Sequence, residues 1–187
     1  GGKDVKREQE APDHKVKRIA DSQAAGLIWP SMQFEVAENC MTCHGLAHPG
    51  LKADDLAKML GAGHPINTDF ELVKYSQGSV RHRHYPPDIK TNAEMTPKEL
   101  ANVYAVGQAA ALVSAVEAIS KSSEEKYKQA QNKRVEIAKA ALGGIPEAAG
   151  LLAAPTRQNA LSFVKSIAGK DLTGAVGNKL PTKSDYK

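Results

Sequence analysis

Thr96-Pro97-Lys98-Glu99-Leu100-Ala101-Asn102-Val103-Tyr104 opens the strongest helix in the chain. Thr96 is placed as a cap, Pro97 stands at the first helical position, and Glu99 follows three residues after the cap. Met95 precedes the cap, where a hydrophobic staple would stand. Leu100, Val103, Tyr104, Val106, Leu112, Val113, Val116 and Ile119 then recur at helical spacing. A second periodic run covers residues 122–142 and ends at Gly143-Gly144. Ser120 to Ser123 either break these runs into an antiparallel hairpin or form one polar turn of a single helix. The hairpin is the expected arrangement. A single helix over 97–142 would extend about 70 Å and would need a second copy or another subunit to cover it. Ala109 to Ala111 and Ala138 to Ala141 would allow close helix contact there.

Outward from this pair the chain remains helical. Ile19, Ala20, Gln23, Ala24 and Leu27 form a weak helical pattern that Pro30 stops, after a polar terminus over residues 1–13. Ser31 is the expected cap of a helix running to about Thr42. Lys52 to Leu60 reads as a short helix ended by Gly61-Ala62-Gly63. Thr68 or Asp69 is the expected cap of another, Phe70 to Ser76. Pro86 and Pro87 exclude helix from the loop over 79–93. Pro146 and Pro155 each start short helices, at 146–153 and 155–168, and residues 169–187 read as irregular. With no strand pattern anywhere, the fold class is all-α.

The chain has 187 residues, with 41% hydrophobic and 25% charged. That composition supports a packed core and argues against a disordered chain. Aromatic residues make up only 5%, so interior bulk must come from elsewhere. Charge is segregated. Residues 21–119 carry seven basic and eleven acidic groups, a net of −4, whereas residues 120–187 carry twelve and six, a net of +6. Glu124, Glu125, Lys126, Lys128, Lys133, Arg134 and Glu136 alternate in sign at helical spacing, which reads as a solvated helix face and not as a nucleic-acid stripe. No run of eighteen consecutive apolar residues is present, so no transmembrane segment is expected. The chain opens on Gly1-Gly2 without a Met, which fits a processed or a recombinant start.

Cys40-Met41-Thr42-Cys43-His44 is the stretch that carries chemistry. Cys-x-x-Cys-His is the signature of covalent c-type haem attachment. Two thiols must reach two vinyl groups on one porphyrin edge, and the following His must present its imidazole to the iron. The rival readings are weaker. A thioredoxin-like dithiol requires a βαβ unit. A zinc site requires further ligands, for which His48, His64, His82 and His84 are the available histidines. Haem would also supply the missing interior bulk.

Residues 31–119 resemble a class I monohaem c-type cytochrome domain. The resemblance rests on Glu38-Asn39-Cys40-Met41-Thr42-Cys43-His44-Gly45, on Tyr85-Pro86-Pro87, which is similar to that family's Met-Pro-Pro loop, and on the helix start at Met95 to Val103. It implies a cytochrome c-like haem domain at 31–119. An N-terminal segment, 1–30, would precede it, and a helical extension with an irregular tail, 120–187, would follow. It also implies one haem c bound through Cys40 and Cys43, with His44 as axial ligand. A periplasmic or otherwise extracytoplasmic location follows from the same resemblance. Tyr85 stands where the family places its axial Met, so the sixth ligand is open. His84 and His82, alternating with Arg81 and Arg83, are the leading candidates, with a solvated basic turn as the alternative. Met95 and Met59 follow, with the staple and core roles as their alternatives. Tyr85 itself, or no protein ligand, completes the set.

The function expected is single-electron transfer between redox partner proteins, with no enzymatic activity. An acidic haem domain would favour a partner with a basic docking patch. Two alternatives remain. One is an open sixth site that binds or senses NO or CO. The other is a haem-bearing subunit of a larger complex, or a homodimer, joined through the C-terminal helices. His48 and His64 read as surface residues, and Trp29 as a packing anchor or a residue on the haem edge.

Overall fold

The computed structural model describes residues 9–29, 31–78 and 94–187. The described residues are all-helical, with no strand among them. Among the described residues nine α-helices follow in order: α1 Pro12–Ala24, α2 Gln33–His44, α3 Ala53–Gly61, α4 Leu72–Ser76, α5 Pro97–Lys121, α6 Glu125–Leu142, α7 Ala149–Ala153, α8 Arg157–Ile167 and α9 Thr173–Val176. A 3-10 turn, Pro146–Ala148, leads into α7, and two more, Gly177–Lys179 and Lys183–Asp185, close the chain.

The hub is α5. Helices α2, α3, α4, α6, α8 and α9 all pack on it. Its start follows the sequence expectation: Thr96 Oγ1 accepts from Glu99 N at 3.3 Å, and Glu99 Oε2 accepts from Thr96 N at 2.7 Å. Met95 and Leu100, the positions a staple joins, both pack against the main core. Ala101, Ala105, Ala109 and Ala115 are fully buried on α5. These small side chains let neighbouring helices approach on several sides, so interior bulk is replaced by close backbone packing. By length and composition α5 is also apolar enough to cross a membrane, although Gln108 and Ser114 interrupt its apolar run. In this fold 72% of its most apolar window is buried, which accounts for its hydropathy.

α5 ends at Lys121, and Ser122 turns extended at φ −108°, ψ 145°. Asp54 on α3 holds this break, accepting from Ser123 N at 3.1 Å and Ser122 Oγ at 3.2 Å. α6 then runs back along α5. The hairpin forms, and the continuous 97–142 helix that would have called for a covering partner does not. One core cluster extends from Phe34 on α2 to Val176 on α9. It therefore draws on both the 31–119 segment and the 120–187 extension.

Several local expectations are corrected. α1 begins at Pro12, inside the segment read as a loose terminus, because Pro is favoured at a first helical position. Met32, not Ser31, precedes α2, with no side-chain cap. Glu71, not Thr68 or Asp69, caps α4: its carboxylate accepts from Val73 N and Lys74 N, both at 2.9 Å. α8 starts after Thr156, whose hydroxyl accepts from Asn159 N at 3.2 Å, two residues later than Pro155 suggested. The tail read as irregular contains α9 and two 3-10 turns.

Candidate functional site

α2 carries Val36, Cys40 and His44 four residues apart, which places them on one face. That face borders a groove of about 400 Å³ lined by Ile28, Val36, Asn39, Cys40, His44, Phe70, Leu72 and Tyr75. The far wall comes from α4 and the residues just before it. The His44 ring stacks on Phe70, with centroids 4.2 Å apart and planes 20° from parallel. Tyr75 lies 5.2 Å from His44 and 4.7 Å from Phe70. Asn67 ties this wall to α2: its backbone N–H donates to the His44 carbonyl at 3.0 Å, and its side chain donates to Tyr75 Oη at 2.7 Å.

Cys40 is half-buried and Cys43 is exposed, and both are free thiols. Burial pushes the Cys40 thiol above its ordinary pKa. Partial burial pushes His44 below its ordinary value, which favours the neutral imidazole that can act as a ligand. Among the described residues, no three Cys, His, Asp or Glu side chains converge on one point. Cys40 and His44 line the groove, whereas Cys43, on the same helical turn, is exposed and is not among its lining residues. The Trp29 indole N–H, adjacent in sequence to groove residue Ile28, is buried without a hydrogen-bond partner.

The end of α2 is held from behind by α6. Tyr127, Gln131 and Arg134 are spaced so that they share one helix face. Tyr127 Oη donates to the Leu46 carbonyl at 2.6 Å, and Gln131 Nε2 donates to the Gly45 carbonyl at 2.9 Å. Arg134 donates to that same carbonyl at 3.3 Å, to Gln131 Oε1 at 2.6 Å, to Ser114 Oγ at 2.7 Å and to Met41 Sδ at 3.1 Å. Arg134 is 2% exposed, so the solvated-face reading of this residue is overturned. Its long stem and planar head fill the space between α2, α5 and α6.

Gly45 and Leu46 reverse the usual division of labour at a helix end. Ala47 N donates to Thr42 O and Leu46 N to Cys43 O, the Schellman pattern. The left-handed position in that pattern is Leu46, at φ 46°, and not a glycine. A leucine there costs about 1–2 kcal/mol of backbone strain; its burial at 3% exposed and the Tyr127 hydrogen bond offset that cost. Gly45 is helical at φ −86° and needs no left-handed freedom. Its missing side chain serves another purpose: a Cβ there would stand 2.5 Å from Arg134 Nη2.

The remaining candidates are distributed as follows. His82, His84 and Tyr85 lie outside the described residues. Met59 is 36% exposed on α3, and Met95 packs against the core beside the start of α5. Neither lines the groove beside His44. His48 and His64 are exposed. The basic extension meets the acidic segment where Arg157 on α8 pairs with Glu38 at 2.8 Å and reaches Glu35 at 3.8 Å, and again where Lys183 pairs with Glu94 at 2.7 Å. Sequence reading missed the Tyr127–Gln131–Arg134 face because it tracked apolar residues; their spacing, continued by Ala138 and Ala141, was the available signal. No protein-family model, curated protein or solved structure matches the chain.

Proposed function

We propose that the chain is a monohaem c-type cytochrome that passes single electrons between redox partner proteins. The observation that carries this reading is the Val36–Cys40–His44 face of α2, set against a groove walled by Phe70, Leu72 and Tyr75. The donor set fits. Two free thiols three residues apart suit thioether attachment, the neutral imidazole suits iron, and the apolar walls suit a porphyrin face. When bound, the haem supplies a reversible one-electron Fe(III)/Fe(II) couple.

In this reading Cys40 and Cys43 anchor the group and His44 is the axial ligand. Phe70 and Tyr75 hold the imidazole plane, and Asn67 fixes the backbone behind it. The packing of α2 across α5 supports a class I-like haem domain, with α6–α9 as an added layer. His84 is the proposed second axial ligand, followed by His82; Met95 and Met59 rank lower because neither lines the groove. An extracytoplasmic location, where covalent attachment takes place, belongs to the same proposal.

The test is acid-acetone extraction of the purified, haem-matured protein, followed by absorption spectra. The chain should retain its chromophore, and replacing both Cys40 and Cys43 with Ser should abolish that retention. A colourless chain would overturn the haem reading. A reduced spectrum indifferent to CO is expected for a six-coordinate carrier, whereas CO uptake would favour a small-ligand site. Replacing His84 with Ala should change the spectrum; an unchanged one removes that ligand.

A further inference from the structure

The buried guanidinium behind the attachment helix is the least expected group in the fold. Arg134 is 2% exposed, and its partners are the Gly45 carbonyl, Gln131 Oε1, Ser114 Oγ and Met41 Sδ. None of these is a carboxylate. A buried ion without an opposite charge is costly, and a merely structural role could be filled by an uncharged side chain of similar volume. Among the described residues the opposite-sign company it has is the negative end of the α2 dipole, where the last carbonyls cluster, a partial charge that leaves most of the cation unbalanced. Burial lowers its pKa to about 10, so it remains charged at neutral pH.

The surroundings are shaped to admit this charge. Gly45 lacks a side chain where a Cβ would collide with Nη1, Cζ and Nη2 at 2.5–2.7 Å. Met41, one of the two residues between the cysteines, turns its sulfur toward Nη2. Arg134 therefore touches both the middle and the end of Cys40-Met41-Thr42-Cys43-His44-Gly45, from the side opposite the groove.

We propose that Arg134 is a positioning residue that locks the end of α2 and whose uncompensated charge raises the reduction potential of a haem held on His44. This rests on the haem reading above. Reduction places one further electron on the iron, taken from the donor protein, so a fixed positive charge behind the ligand helix stabilises the reduced form over the oxidised one. The low polarity of the site keeps the effect from being screened by salt.

The experiment is redox titration of the haem-matured protein, followed by absorption, with thermal melting recorded alongside. Arg134→Gln and Arg134→Met remove the charge; Arg134→Lys keeps it while losing the planar fork. Both neutral variants should shift the reduction equilibrium toward the oxidised form about tenfold, which is 59 mV for one electron. Arg134→Lys should melt earlier yet keep a potential near that of the wild type. Equal potentials in the wild type and whichever neutral variant matures would overturn the charge role, whatever the melting temperatures. A potential lowered equally in the Lys variant would also overturn it, since geometry alone would then be the cause. A wild-type chain without covalent chromophore would instead overturn the haem reading itself, and the two failures are thus distinguishable.

Discussion

Gly107 on α5 and Leu72 on α4 meet at a distance that leaves no room for a methyl group: a Cβ on Gly107 would stand 2.9 Å from Leu72 Cβ. Leu72 lines the groove beside His44, and Phe70, two residues earlier, stacks on the His44 ring. The glycine therefore sets how closely the far wall of the groove approaches α5. Gly107→Ala should gain about 1 kcal/mol of helix propensity and lose about 1–3 kcal/mol through overpacking. The expected net outcome is lower stability in urea unfolding, together with a changed His44 ring resonance. An alanine variant more stable than wild type, with an unmoved His44 signal, would show that α4 can shift freely.

The α5 entry is a second point where one contact can be isolated. Thr96 and Glu99 exchange both capping-box bonds on an exposed turn, away from the groove. Thr96→Ala should cost about 1 kcal/mol. The melting temperature should fall while spectra reporting on His44 stay constant. No fall would mean that Pro97 and the packing of Met95 and Leu100 fix the helix start without the cap.

What the sequence disclosed follows from whether a signal is local. The cap at Thr96 and the break near Ser122 are written in residues a few positions apart, and each is found in the structure; the helix expected to stop at about Thr42 runs on to His44. Gly45 is the contrasting case. Its place after His44 resembles a family pattern, but the reason for it is a guanidinium 89 residues later in the chain. Arg134 sits between exposed Lys133 and Lys139 on a helix rich in charge, so hydropathy placed it in solvent. Only packing of α6 on α5 reveals which face turns inward. The cap of α4 failed differently: Thr68 and Asp69 are both good caps, and the choice of Glu71 depends on burial that no local pattern encodes.

Tyr127 tests the grip of α6 on the strained residue after α2. Its hydroxyl is the donor to the Leu46 carbonyl, and both residues are buried. Tyr127→Phe keeps the ring and leaves that carbonyl without its partner, a loss of about 1–3 kcal/mol. Hydrogen exchange should accelerate at Leu46 and Ala47, whose N–H groups close the Schellman turn. Unchanged exchange there would mean that the turn holds itself and the tyrosine serves only as packing.

Glu71 gives the fold a pH dependence with a definite sign. It is 5% exposed, and burial raises its pKa from 4.5 to about 7 against the two backbone N–H groups it accepts. The folded protein therefore holds a proton that the unfolded chain releases above its ordinary value. The stabilisation linked to that proton is fully present below about pH 4.5 and is lost as pH rises through about 7. The difference between the two values corresponds to a loss on the order of 3 kcal/mol. Tyr104, pushed up to about 12 by burial and by the Glu71 charge, marks the same carboxylate as an unwelcome anion on the face of α5. Glu71→Gln cannot ionise, so it should abolish this decline. Urea unfolding at about pH 5 and about pH 8 checks it: the wild type should lose more stability between the two than the variant does. Parallel pH dependences in the two proteins would mean that Glu71 stays ionised at its cap and that its two backbone donors outweigh burial.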